Sequence, residues 1–154
     1  MASTSAMNRV GLPMAAVACA LVAGCGSPVP EGKEAVVISG KRFVVDLALD
    51  EPSRVKGLGG AESIPPDGGM LFVFPNAAPR QFVMCDCVIP IDIAFLSDTG
   101  RVLALHAMTT EPPQREGESD FAYEIRLPRY SCRYPCRFAV EVAGGTWASI
   151  GLEE

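Results

Sequence analysis

Short apolar runs with a period of two, separated by turn residues, characterise the chain from about residue 36 onward. In the first run, Phe43, Val45, Leu47 and Leu49 fall on one face, which predicts a half-buried strand. The same criteria predict further strands at residues 71–74, 81–87, 91–96, 101–108, 121–127, 138–142 and 146–150. Because these short strands do not alternate with helices, they predict a mainly β fold, a compact antiparallel β-sandwich.

Two interruptions of this pattern predict other local structure. Asp50, Pro52 and Gly57 supply an N-cap acid, a proline in the first turn and a terminal glycine, so we expect one short helix near residues 51–58. The polar stretch at residues 97–100, Ser-Asp-Thr-Gly, predicts a hairpin between its flanking strands. Residues 36–152 are enough to bury a core, so they are predicted to form a single β-sandwich domain.

The N-terminal residues follow a different pattern, that of an export signal. Arg9 is the only basic residue before an uncharged run over residues 10–23. The sequence Leu-Val-Ala-Gly-Cys at residues 21–25 resembles a bacterial lipobox, in which Cys25 receives lipid such as palmitate and becomes the mature N-terminus. Residues 1–24 are therefore predicted to be a lipoprotein signal peptide. The alternatives are a plain signal peptide cut near Ala23 and an uncleaved anchor.

The stretch that follows Cys25 is rich in proline and glycine and has no periodicity, so residues 25–35 are predicted to be a flexible tether. These features together predict an exported, membrane-anchored lipoprotein of the cell envelope that faces the periplasm or the exterior. Its first expected partner is the lipid bilayer, reached through the lipidated Cys25.

Charge and composition disfavour several classes of function but do not identify one. The chain has 154 residues and carries 13 Lys and Arg against 18 Asp and Glu, a net charge of −5, which disfavours nucleic acid as a partner. It has one His and none of the common nucleophile, zinc-protease, phosphate-loop or dinucleotide motifs, so no catalytic residue is predicted. The favoured function is a non-catalytic binding or interaction module for an unknown envelope protein or small ligand. A carboxylate-based enzyme of envelope carbohydrate chemistry is one alternative.

Four cysteines in the domain supply the other alternative. Cys85 and Cys87 lie two apart in a predicted strand, and Cys132 and Cys136 flank a turn. In an oxidising compartment they favour structural disulfides, with Cys132–Cys136 and cross-pairing both open. The competing hypothesis is a soft-metal or thiol redox protein, in which the four sulfurs bind copper or zinc. Three further residues could add soft or imidazole ligands to such a site: Met84, His106 and Met108. Otherwise no cofactor is expected.

Three charged residues within apolar surroundings also stand out. Asp92 lies between isoleucines in a predicted strand, and a buried acid needs a partner. We expect a structural ion pair with Arg54, or a cap, rather than catalysis, and the pair is also a candidate binding site. Glu141 lies between valines and is expected to be the solvent-facing residue of an alternating strand.

Four blocks of sequence resemble the Domain of Unknown Function 192 family. They are residues 54–58, Arg-Val-Lys-Gly-Leu; residues 69–74, Gly-Met-Leu-Phe-Val-Phe; residues 82–84 leading into residues 89–95; and residues 140–144. The resemblance implies an antiparallel β-sandwich of jelly-roll type and no established activity. Where the family usually has an aromatic residue followed by Met, Lys, Asn and Thr, this chain has Val83, Met84, Cys85, Asp86 and Cys87. A role that depends on the family's basic residue is therefore not expected here.

Overall fold

The computed structural model describes residues 28–154, so the predicted signal peptide and the lipidation of Cys25 lie outside the described residues. The strands are β1 (Lys33–Ile38), β2 (Lys41–Ala48), β3 (Met70–Ala78), β4 (Gln81–Phe82), β5 (Ile91–Leu96), β6 (Val102–Met108), β7 (Tyr130–Ser131) and β8 (Cys136–Ala143). The helices are α1 (Glu51–Lys56), α2 (Asp120–Arg126) and α3 (Thr146–Ser149). The prediction of a mainly β fold is confirmed.

Six of the strands form one mixed sheet in the order β1-β2-β3-β8-β5-β6, and β4 and β7 form a separate two-stranded sheet. All neighbouring pairs are antiparallel except β2 and β3, which run parallel. The wholly antiparallel arrangement expected from the sequence is therefore wrong at this one pair. The chain makes the parallel connection through α1, since a tight hairpin cannot join parallel strands.

The large sheet buries side chains on both of its faces. Neighbouring residues of a strand point to opposite faces, and Ile93 and Phe95 of β5 pack in one apolar cluster while Ala94 packs in the other. The first cluster also contains Phe72, and the second contains Trp147. Because β8 and β5 lie between other strands and are covered on both sides, five of the six residues of β5 and five of the eight residues of β8 are buried.

The predicted strand at residues 121–127 is wrong, because this segment is helix α2. Its apolar residues alternate as in a strand, but two of them, Tyr123 and Leu127, are also four residues apart and so lie on one face of a helix. These two residues are the buried ones. The other two alternating residues, Phe121 and Ile125, are exposed. The Ala122 N–H donates to the Ser119 side chain, which caps the helix and gives its first turn a partner that a strand would not use.

The predicted strand at residues 146–150 is also wrong, because this segment forms the short helix α3 around the buried Trp147. Two other predictions need adjustment. Only Gln81–Phe82 is extended within the predicted strand at 81–87, and β1 begins at Lys33, inside the predicted tether.

Other local predictions are confirmed. Helix α1 begins after Asp50, whose carboxylate accepts the Ser53 N–H in a capping box, and it ends at Gly57. The hairpin between β5 and β6 turns at residues 97–100, where the Ser97 N–H donates to the Arg101 carbonyl. Among the helices of residues 28–154, none is long and apolar enough to cross a membrane.

Candidate functional site

A cleft of about 720 Å³ opens between α1, α2 and one face of the sheet. Its floor is aromatic. Phe82 makes edge contacts with Phe72 and Phe74, with ring centroids 4.9 Å and 6.4 Å apart. Mutual edge contacts of this kind hold the rings in fixed orientations, so the floor is a preformed apolar surface.

Helix α2 and the segment around Asp86 close one side of the cleft. Asp86 has a φ of 54°, and its backbone N–H donates to the Tyr123 hydroxyl over 3.2 Å. The Gly60 N–H in turn donates to the Asp86 carbonyl. This segment is therefore held by one hydrogen bond to the Tyr123 side chain and one to the Gly60 backbone, and it carries Cys85 and Cys87 along the cleft wall.

Glu141 lies at one end of the floor and is buried, so its predicted exposure to solvent is wrong. Burial raises the pKa of Glu141 to about 8, and a hydrogen bond from the Leu58 backbone N–H opposes this rise. The carboxyl group is therefore mostly protonated at pH 7, and its Oε2 atom has no partner. A side chain at Gly57 would contact that oxygen and the Phe72 ring, so glycine there helps keep the end of the cleft open.

Arg80 lies at the other end of the floor, with its guanidinium 4.3 Å from the Phe74 ring centroid. One terminal nitrogen of this group donates to the carbonyl and side-chain oxygens of Asn76. The buried Nε–H has no partner. A positive charge with an unused buried donor therefore lies beside an aromatic surface.

Arg54 also lines the cleft, but both terminal nitrogens of its guanidinium already have partners within the protein. Its guanidinium donates to the carbonyls of Leu49 and Val73 and forms an ion pair with Glu51. These bonds hold α1 against β3, so Arg54 positions the cleft wall. The prediction of an ion pair between Arg54 and Asp92 is therefore wrong, because Arg54 pairs with Glu51 instead.

Asp92 faces the opposite side of the sheet from the cleft, and it caps α3. The Trp147 N–H donates to Asp92 Oδ2 over 2.9 Å in a buried environment. This agrees with the alternative that Asp92 is a cap, and it removes the basis for an acidic enzyme pocket around Asp92. The sequence anticipated the burial of Asp92 but missed that of Glu141, which lies in a strand that the sheet covers on both faces.

The structural disulfides expected from the sequence are not formed in the structure, where all four domain cysteines are free thiols. Burial raises the pKa of Cys87 to about 11 and that of Cys136 to about 12, and it also raises the pKa of Cys85. Within residues 28–154, no group of three or more His, Cys, Asp and Glu side chains is arranged to hold a metal ion. The structure therefore does not assemble the thiolate set that the copper or zinc alternative requires.

The further soft ligands considered in the sequence have structural roles. Met84 and Met108 are buried in the apolar core, each 1% exposed. His106 lies 2.8 Å from the Ser131 carbonyl, to which its Nε2–H donates, and its ring contacts Phe95 and Tyr130. The imidazole is thus a half-buried side chain whose Nε2 already has a hydrogen-bond partner.

Comparison with known proteins agrees with this architecture. The model of the family DUF192, described as uncharacterised, matches residues 34–154, which confirms the resemblance found in the sequence. No curated protein is significantly similar to the chain.

Two solved structures share the fold. One is described as a putative transcription regulator from Sinorhizobium meliloti 1021, with a TM-score of 0.62 and 24% identity, over 77% of this chain and 84% of that one. The other is a protein of unknown function from Novosphingobium aromaticivorans, with a TM-score of 0.61 and 25% identity, over 77% of this chain and 76% of that one. These likenesses establish the fold.

Proposed function

The chain belongs to the uncharacterised DUF192 family. From the geometry of its cleft, we propose that the protein is a non-catalytic module that binds a small organic anion at the cell envelope. The observation that carries this proposal is the position of two unpartnered polar atoms. Among residues 28–154, four buried side-chain polar atoms lack a hydrogen bond, and two of them, Arg80 Nε and Glu141 Oε2, belong to residues that line this cleft. Buried polar groups are nearly always paired, so a ligand that supplies both partners fits here.

The positions of these two groups define the shape of the ligand. Glu141 pairs in register with Met70, while Arg80 stacks on Phe74, four residues further along β3. At about 3.3 Å per residue the two groups lie roughly 13 Å apart along the strand. Phe72 lies between them on the same face. An elongated molecule with an apolar or flat middle therefore matches the cleft.

The charges of these groups define the chemistry of the two ligand ends. Arg80 is a charged donor, which favours a carboxylate or phosphate. Glu141 is mostly protonated at pH 7, and its unpartnered oxygen then carries a proton to donate, so the opposite end of the ligand should present an oxygen acceptor. A high pKa leaves Cys87 a thiol, which supports binding rather than thiolate chemistry.

A ligand-capture experiment tests the binding proposal. Protein from cell envelopes is dialysed against a small-molecule extract of bacteria, and retained molecules are identified by mass spectrometry. Val55→Trp places a large side chain at the mouth of the cleft, while Val37→Trp changes another exposed valine, in the edge strand β1; the two are 78% and 68% exposed. We expect the wild type and Val37→Trp to retain an organic anion that Val55→Trp does not.

Arg80→Gln should then weaken binding of the captured anion about tenfold, because it removes a charge-assisted hydrogen bond. Retention of the same molecules by Val55→Trp, or an affinity for the anion unchanged by Arg80→Gln, would contradict the proposed cleft function.

The location at the envelope rests on the sequence at residues 21–25, and the same proposal includes a lipid anchor at Cys25. Cys25→Ala should leave the protein unlipidated, with residues 1–24 still attached, because Cys25 is both the lipid acceptor and the proposed mature N-terminus. Mass spectrometry of the N-terminal peptide measures both effects. An unlipidated wild-type protein, or a Cys25→Ala variant processed like the wild type, would show that the anchor is of another kind.

A further inference from the structure

Cys132 and Cys136 lie side by side in the core at the turn that leads into β8. Both are fully buried. Their Sγ atoms lie 3.9 Å and 3.7 Å from the same acceptor, the Ala78 carbonyl oxygen, and Cys132 Sγ also lies 2.8 Å from the Tyr134 carbonyl oxygen. The fold thus brings two sulfurs together from the two ends of one tight turn.

The other two cysteines have different surroundings. Cys85 Sγ lies 3.7 Å from the Asp86 carboxylate, and Cys87 Sγ donates to the Cys85 carbonyl over 3.4 Å. Only Asp86 separates these residues, and so short a loop strains a disulfide. Cys85 and Cys87 make their hydrogen bonds within residues 85–87, whereas Cys132 and Cys136 share the Ala78 carbonyl, so neither cross-pairing nor a Cys85–Cys87 bond is favoured.

We propose that the chain carries one structural disulfide, Cys132–Cys136, and that this bond fixes the end of the cleft that holds Arg80. The link to the cleft is direct. The Arg80 backbone N–H donates to Cys132 Sγ over 2.9 Å, and the Cys132 N–H donates to the Arg80 carbonyl over 3.1 Å. Cys85 and Cys87 remain thiols along the cleft wall.

The bond forms by thiol–disulfide exchange with a disulfide donor such as oxidised glutathione. One cysteine thiolate attacks the donor disulfide and releases one glutathione thiol, and the second cysteine then displaces the other. One cysteine S–S bond forms, one donor S–S bond breaks, and the two cysteine protons are lost as two glutathione thiols are made. Because both sulfurs are inaccessible in the folded chain, the exchange takes place during folding, and the finished bond is shielded from reductants.

Peptide mapping tests this assignment. The full chain is refolded with oxidised glutathione, its free thiols are alkylated, and trypsin is added. Cleavage after Arg129, Arg133 and Arg137 separates Cys132 from Cys136, so the bond appears as peptide 130–133 joined to peptide 134–137. We expect this joined pair in the wild type and in Cys85→Ser/Cys87→Ser, with both cysteines of peptide 81–101 alkylated in the wild type.

The control variant is Cys132→Ser/Cys136→Ser, in which the joined pair must be absent. The oxidised wild type should also unfold several degrees above the reduced wild type. Four alkylated domain cysteines after oxidative refolding, or a link from peptide 81–101 to either turn peptide, would overturn the assignment. A link that forms in vitro but is absent from envelope-derived protein would contradict its formation in the cell.

Discussion

The unfolding free energy of the wild-type protein is expected to be about 3 kcal/mol lower at pH 8 than at pH 5 because of Glu141. The Glu141→Gln variant should not show this decrease. Burial raises the pKa of Glu141 from its ordinary value of 4.5 to about 8 in the folded protein. Between these values the folded chain keeps a proton that the unfolded chain releases, so rising pH favours unfolding. The stabilisation is fully present below pH 4.5 and is lost as the pH rises through 8.

Urea titrations of both proteins across this pH range measure the effect. The relevant quantity is the difference between the two stability curves, because all other titrating groups are common to them. Glu62→Gln is the matched control, since it removes an exposed carboxyl group and should leave the wild-type curve unchanged in shape. Parallel curves for the wild type and Glu141→Gln would mean that the buried carboxyl is ionised in the folded protein.

The sequence predicted the parts of the fold that local patterns determine. The strand Ile91–Leu96, the capped helix after Asp50 and the turn at residues 97–100 depend on neighbouring residues, and all three are confirmed. Helix α2 was missed because alternation and i, i+4 spacing coincide in a segment of seven residues. The parallel pairing of β2 with β3 depends on contacts far apart in the chain, which no local pattern specifies.

Less of the candidate site could be predicted. Glu141 was seen between two valines, but its burial follows from the position of β8 between β3 and β5. Arg80 carries no sequence signal at all, because a basic residue after a proline is ordinary on a surface. Its importance arises only when β3 places Phe74 beneath its guanidinium and β4 places Phe82 against Phe74. A cleft built from several strands becomes visible when the sheet order is known.

Gly69→Ala is expected to reduce the unfolding free energy by more than about 4 kcal/mol, an effect of the size seen when a core is disrupted. A Cβ atom at Gly69 would overlap the Glu141 carbonyl oxygen and lie 3.1 Å from Val142 Cγ1. The residue also has a φ of 152°, a conformation that other residues rarely adopt. Its own carbonyl accepts the Asp46 N–H, so the backbone is held from the β2 side as well.

Gly40→Ala is the matched control, because Gly40 also has a positive φ, of 76°, but has open space where a Cβ would lie. It carries only the conformational cost, about 1 kcal/mol. The excess cost of Gly69→Ala therefore reports the close approach of the Gly69 backbone to the Glu141 carbonyl together with the rarer φ of Gly69. Urea titration monitored by Trp147 fluorescence measures both. If Gly69→Ala costs no more than Gly40→Ala, the two backbones are not in contact at this point.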